Sequence, residues 1–195
     1  ESGSQKILDI MEKKFTLEDI YKATSVTSEF ELYSPLAVMA GMPGETLETC
    51  METGKFLGTL SHMQGLYPKY NSIEIFYALP LPGTPLYEYG QQIGVIGTSP
   101  EQEEEYLLNV SGRGTGKLTY VNLNGTPMKD VLFWDYLMRL EASRTFHEIL
   151  KTKPMKESFM SKSLSDLMKK QLESKSLKTK MLKALEVGNF NYALG

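Results

Sequence analysis

The chain has a single cysteine, Cys50, and two histidines, His62 and His147. One thiol excludes a disulfide framework, and also a thiolate-bound metal or cluster built from this chain alone. A reducing cytoplasm is the expected location. Neither histidine has a second histidine or a group of acids at ligand spacing, so no metal ligand is assigned. No apolar run reaches the roughly eighteen residues of a membrane span. The chain opens at Glu1 without a basic-then-apolar leader, so its true start is expected upstream. Repeats and low-complexity tracts do not stand out either.

What is present is a globular composition, 41% apolar and 23% charged over 195 residues, enough for one domain or most of one. The net charge of −3 conceals an asymmetry. Residues 151–183 hold ten lysines against Glu157, Asp166 and Glu173, which leaves −10 on the remainder. No aromatic residues alternate with these lysines as a base-stacking platform requires, so a solvated helix face is expected there and no nucleic-acid partner. The methionines and leucines of this tail, among them Met160, Leu164, Leu167 and Leu172, form an apolar stripe suited to docking on a missing domain of the same protein, ahead of lying on a membrane surface.

Hydrophobic spacing predicts helices over residues 5–14 and 16–24, the second capped by Thr16 with Asp19. Residues 36–40 form a compact apolar run between Pro35 and Gly41, and residues 73–79 a run of β-branched and aromatic residues closed by prolines. Both read as strands. Between them, residues 46–60 place Leu47, Cys50, Met51, Leu57 and Leu60 on one helical face, with Glu45 and Glu48 at the positive end of the helix dipole. Strand, helix, strand at this spacing is a βαβ unit with parallel strands, so the fold class is α/β. Further helices are expected near residues 86–92, from the Ser99–Gln102 capping box, and from Thr126-Pro127 to about residue 150. The apolar side of the last comprises Val131, Leu132, Trp134, Tyr136, Leu137, Leu140 and Phe146. Residues 118–123 read as a possible strand.

Side chains alternate along a strand, so Ile73, Ile75, Tyr77 and Leu79 are assigned to the helix-covered face and Glu74, Phe76 and Ala78 to the opposite one. A carboxylate turned inward needs a polar partner or a cavity, which makes Glu74, with Phe76 beside it, a candidate substrate contact. Ligands of βα folds lie at the carboxyl ends of the strands, here residues 39–41 and 78–80.

Three motifs, ESGSQKILDI at residues 1–10, GMPGET at 41–46 and PGTPLY at 82–87, resemble in order and spacing the later strands of radical S-adenosylmethionine enzymes, and most closely the branch that commonly carries a cobalamin-binding domain. The resemblance covers residues 1–95. It implies the carboxyl-terminal part of a partial (β/α)6 TIM-like barrel; the residue patterns beyond it read as a mostly helical carboxyl-terminal extension (residues 96–150, with a Gly-rich loop) and a basic amphipathic tail (151–195). It also implies contacts to S-adenosylmethionine from Glu1, Ser2 and Ser4 on the fourth strand, Met39 and Gly41 on the fifth, and Ala78 and Leu79 on the sixth. The family binds a 4Fe-4S cluster through a C-x-x-x-C-x-x-C motif and generates a 5′-deoxyadenosyl radical for hydrogen abstraction, with cobalamin-dependent methyl transfer or rearrangement as one outcome. Cys50 alone cannot hold that cluster, so the resemblance implies a fragment, inactive by itself, whose partner is the missing amino-terminal part of the same protein.

The rival reading is a noncatalytic interaction module that keeps the barrel scaffold and binds a partner through its basic tail. Gly112–Gly116 imitates a phosphate loop, but Ser111 and Leu118 stand where glycine and a hydroxyl residue are required. The sequons at Asn109 and Asn124 are short enough to arise by chance. Arg139, Glu141 and Arg144 read as a charge ladder along a helix.

Overall fold

Two five-residue strands, β1 (Leu36–Ala40) and β2 (Ile73–Tyr77), pair in parallel with Leu36 opposite Ile73 and Ala40 opposite Tyr77. The computed structural model describes residues 1–32, 34–68, 72–111 and 120–154. The Gly112–Gly116 loop and nearly all of the basic tail lie outside the described residues. Helices α1 (Gln5–Ile10) and α2 (Leu17–Glu29) precede β1, α3 (Leu47–Met63) joins the strands, and α4 (Pro85–Gln92), α5 (Pro100–Ser111) and α6 (Met128–Thr152) follow. The fold is mixed α/β and mostly helical, around a small parallel sheet.

Local chemistry sets most of the helix starts. Thr16 and Asp19 form the expected capping box. Thr46 pairs in the same way with Thr49, and Ser99 with Gln102 ahead of Pro100. Each arrangement supplies acceptors for amides that have no partner within the helix. Thr126 does not cap α6: Pro127 holds the N-cap position without a side-chain bond, and its carbonyl accepts from Asp130 and Val131. Helix α1 ends sooner than the spacing suggests, at Ile10, where Glu12 turns to φ +54°. Helix α2 runs on to Glu29, and in its last turns the Thr27 and Ser28 hydroxyls donate to the Thr24 carbonyl. The described residues of the supposed strand at 118–123 form no strand.

Strand alternation sorts the two faces as expected. Leu36, Val38, Ala40 and Ile73 are buried with Cys50, Phe56, Leu57, Leu60, Val131, Trp134, Met138 and Ala142 in the main core, and Ile75 and Tyr77 pack against it. On the other face Ala37 and Glu74 are exposed and Phe76 is 50% exposed.

Small residues decide how α3 meets α6, and the large-residue pattern misses this. Leu47 and Met51 are not in the core, and Leu47 is exposed; Thr49, Thr53, Gly54 and Gly58 are buried. On α6, Tyr136 and Leu140 are exposed, whereas Met138, Glu141 and Ala142 are buried. A β-carbon at Gly54 would stand 2.7 Å from Glu141 Cβ and 2.9 Å from the Met138 carbonyl oxygen, and one at Gly58 would overlap the Ala142 carbonyl. The backbones therefore touch at these two points. Glu141 tolerates its burial because Arg144 grips both of its oxygens, at 2.5 and 2.8 Å. Arg139 pairs with Asp135 at 2.6 Å and donates to the Ile73 carbonyl, tying α6 to the start of β2.

Gly58→Ala tests this crossing. Alanine favours an isolated helix by about 1 kcal/mol, but a backbone carbonyl cannot move aside, and overpacking costs about 1–3 kcal/mol. The expected result is a lower urea midpoint with a net loss of up to about 2 kcal/mol; a higher midpoint would contradict the contact.

Candidate functional site

The carboxyl ends of the strands stand in one row. The Ala40 carbonyl accepts the Ala78 amide at 2.9 Å, and on the other edge of β1 the Met39 amide donates to the Glu1 carbonyl at 2.8 Å. Glu1, Met39 and Ala78, drawn from three distant stretches, are thereby neighbours, with Ser2, Gly41 and Leu79 following each of them. Glu74 and Phe76 lie lower on the same open face, opposite Ala37 and Met39.

The amino-terminal limb of the row is anchored from below. Ser2 and Ser4 are buried. The Ser2 hydroxyl lies 3.2 Å from Thr53 Oγ1 and accepts the Ser4 amide, while the Gly3 amide donates to Thr53 Oγ1 at 3.1 Å. Gly3 is needed because a β-carbon there would meet Phe56 Cβ and Thr53 Cα at about 2.5 Å. Glu1 points outward and pairs with Lys13 at 2.9 Å, which holds its carboxyl below the usual range. Over Met39 and Ala78, Ile7, Met11, Met42 and Leu86 form a second apolar cluster, so the row has an apolar cover rather than an open cavity. A groove of about 220 Å³ runs elsewhere, along the edge of β1 between α2 and α3.

The 41–46 loop contains what the sequence reading missed. Gly41 and Gly44 are left-handed, at φ +82° and +77°. Glu45, read from sequence as a helix-dipole residue, is 2% exposed, and its Oε2 accepts the Gly41 amide at 2.6 Å. Its other oxygen has no hydrogen-bond partner among the described residues. Burial, only partly offset by the Gly41 bond, pushes its carboxyl up to about 7. Cys50 lies beside it, and burial together with that carboxyl pushes the thiol well above its ordinary range, which disfavours the thiolate. Tyr120 donates to the Gly41 carbonyl at 3.0 Å. Asn124 Nδ2 donates to the carbonyls of Met42 and Glu45 at 2.7 and 2.9 Å. A carboxylate four residues beyond the glycine was a usable sign for Glu45. Nothing local marks Tyr120 or Asn124, whose partners lie about eighty residues earlier.

No family model, curated protein or solved structure matches this chain. The site is therefore read from its own geometry. Both histidines bond to backbone carbonyls, His62 to Lys153 and His147 to Ser143, and among the described residues no group of three potential metal ligands converges.

The Glu45 carboxyl makes stability depend on pH. It binds its proton more tightly in the folded state than in the unfolded chain, so stability is full at low pH and is lost as pH rises from about 4.5 to about 7. The gap of about 2.5 pH units sets a ceiling of about 3 kcal/mol. Glu45→Gln, which mimics the protonated acid, should gain on the wild type over that interval in urea titrations, and parallel pH profiles would contradict the assignment.

Proposed function

We propose that this chain is the carboxyl-terminal part of a radical S-adenosylmethionine enzyme, in which the row of strand ends forms half of a nucleoside cradle. The observation that carries the reading is the pair of backbone bonds, Met39 to Glu1 and Ala78 to Ala40, that sets three separate motifs side by side at one end of a parallel sheet. The open face of Ala37, Glu74 and Phe76 supports a barrel interior that other strands complete. So does the groove beside β1, floored by Phe56, Leu57 and Leu60 and walled by α2, which borders the edge of β1 that Glu1 pairs with.

The residues present fit S-adenosylmethionine in part. Met39 offers an apolar side chain and Leu79 backbone to a purine, and the exposed Glu1 carboxylate suits an ammonium or ribose group, whereas Gly41, under the Tyr120 ring, and Ala78, inside the apolar cluster, are covered. Ser2 and Ser4, being buried, serve this reading as supports that hold Glu1 against β1. The 4Fe-4S ligands belong outside this chain, since its one thiol is buried in the core. When bound at such a cluster, S-adenosylmethionine supplies the hydrogen-abstracting chemistry, and the part played by this chain is to orient the nucleoside and exclude water. Cobalamin, a cytoplasmic location and the substrate over Glu74 and Phe76 belong to the same proposal.

The test has two steps. The coding sequence upstream should contain C-x-x-x-C-x-x-C about one hundred residues before Glu1, at about thirty residues per βα unit. The full-length protein, reconstituted anaerobically, should then show cluster absorbance, and Met39→Asp should weaken S-adenosylmethionine binding about tenfold or more while leaving that absorbance intact. An intact gene without the motif, or a reconstituted protein without a cluster, would overturn the enzyme reading in favour of an interaction module.

A further inference from the structure

The 41–46 loop turns twice through left-handed glycine, so its own backbone preferences do not select one shape. From inside it is held by Glu45, which accepts the Gly41 amide, and by the Glu45 amide, which donates to the Met42 carbonyl at 3.1 Å. Among the described residues, the polar links that reach it from far along the chain come from Tyr120 and Asn124. Tyr120 is buried, its ring lies where a β-carbon on Gly41 would stand, and its hydroxyl takes the Gly41 carbonyl. Asn124 spans the loop, bridging the carbonyls of Met42 and Glu45 with one amide group.

Asn124 is itself oriented. Its backbone amide donates to Asn122 Oδ1 at 3.1 Å, its Oδ1 accepts the Thr126 amide, and Asn122 Nδ2 donates to the Thr126 carbonyl at 2.6 Å. Leu123 is buried and Tyr77 packs on Tyr120 with ring centroids 5.2 Å apart, so the segment is wedged against β2 as well as against the loop. These are the marks of a preorganised support: rigid side chains, satisfied polar groups and a second layer of bonds behind the first. Asn124 also heads a glycosylation sequon, but its side-chain amide is committed to this bridge.

We propose that Tyr120 and Asn124 are positioning residues that clamp the 41–46 loop in its ligand-bearing shape, so that the loop and the 120–126 segment order and loosen together. The clamp rests on observed bonds; its role in binding a nucleoside rests on the function proposed above. Coupling of this kind is reciprocal: whatever the loop binds in its clamped shape must also protect the 120–126 segment.

Amide hydrogen exchange on the full-length protein separates the two levels. Tyr120→Phe keeps the ring and removes the hydroxyl that bonds the Gly41 carbonyl and Asn122 Oδ1, and Asn124→Ala provides a second variant should one fold poorly. In either, amides of residues 41–45 should exchange about tenfold faster while those of Val131–Phe146 in α6 stay at wild-type rates. Loop rates within about twofold of wild type, or equal acceleration throughout α3 and α6, would overturn the clamp. In wild-type protein, added S-adenosylmethionine should slow exchange in residues 41–46 and 120–126 together. Protection of the loop alone would refute the coupling, and no protection anywhere would sink the nucleoside reading while the variants still judge the clamp. Tyr120→Phe should also raise the Kd for S-adenosylmethionine about fivefold or more without altering cluster absorbance.

Discussion

The in-register parallel pairing of β1 with β2 is the constraint on which the rest of the molecule depends. Side chains alternate along a strand, so a slip of β2 by one residue would turn Ile73 and Ile75 to solvent and bring Glu74 into the core. The apolar floor under α3 and α6 would be lost together with the alignment of the strand ends. A connection between parallel neighbours must cross over the sheet, and α3 makes that crossing while burying one face. Core and candidate site are thus two results of one register: side chains below the sheet fill the interior, and backbone at its carboxyl end forms the row.

The second determinant is how closely α6 approaches α3. With glycine at positions 54 and 58 the two backbones touch, and Trp134, Met138 and Phe146 are buried beneath. Residues 120–126, which lead into α6, are then carried over the loop that follows β1, where Tyr120 and Asn124 find their carbonyls. A stretch far along the chain in this way completes a site whose other parts lie within the first eighty residues. Buried charge is treated in two ways in the same body. Glu141 is neutralised by a two-pronged arginine, whereas Glu45 is held by backbone amides of its own loop, with burial pushing its carboxyl up.

Legibility followed the range of the interaction. Both strands, their parallel pairing and the faces of the second strand were readable, because alternation and crossover length are properties of short windows. The capping boxes at Thr16 and Ser99 were readable for the same reason. Errors arose where long-range packing overrode a local pattern. Tyr136 and Leu140 look like core residues on a helical wheel, but the side of α6 that meets α3 is chosen by the small residues that allow the backbones to close. Glu74, expected to need a partner or a cavity, is exposed among the described residues. Glu45, read as a surface helix-start acid, is buried because its loop folds back over it.

From its own sequence this protein determines where its strands and most of its helices begin, which strand face is greasy, and where the glycines permit left-handed turns, since each depends on groups a few residues apart. Only the tertiary structure decided that Glu1, Met39 and Ala78 stand in one row, that Glu45 is taken out of water, and that Tyr120 and Asn124 reach a loop some eighty residues earlier. Those outcomes depend on backbone groups meeting across the fold, and a backbone carbonyl has no signature in the sequence until packing brings a donor to it.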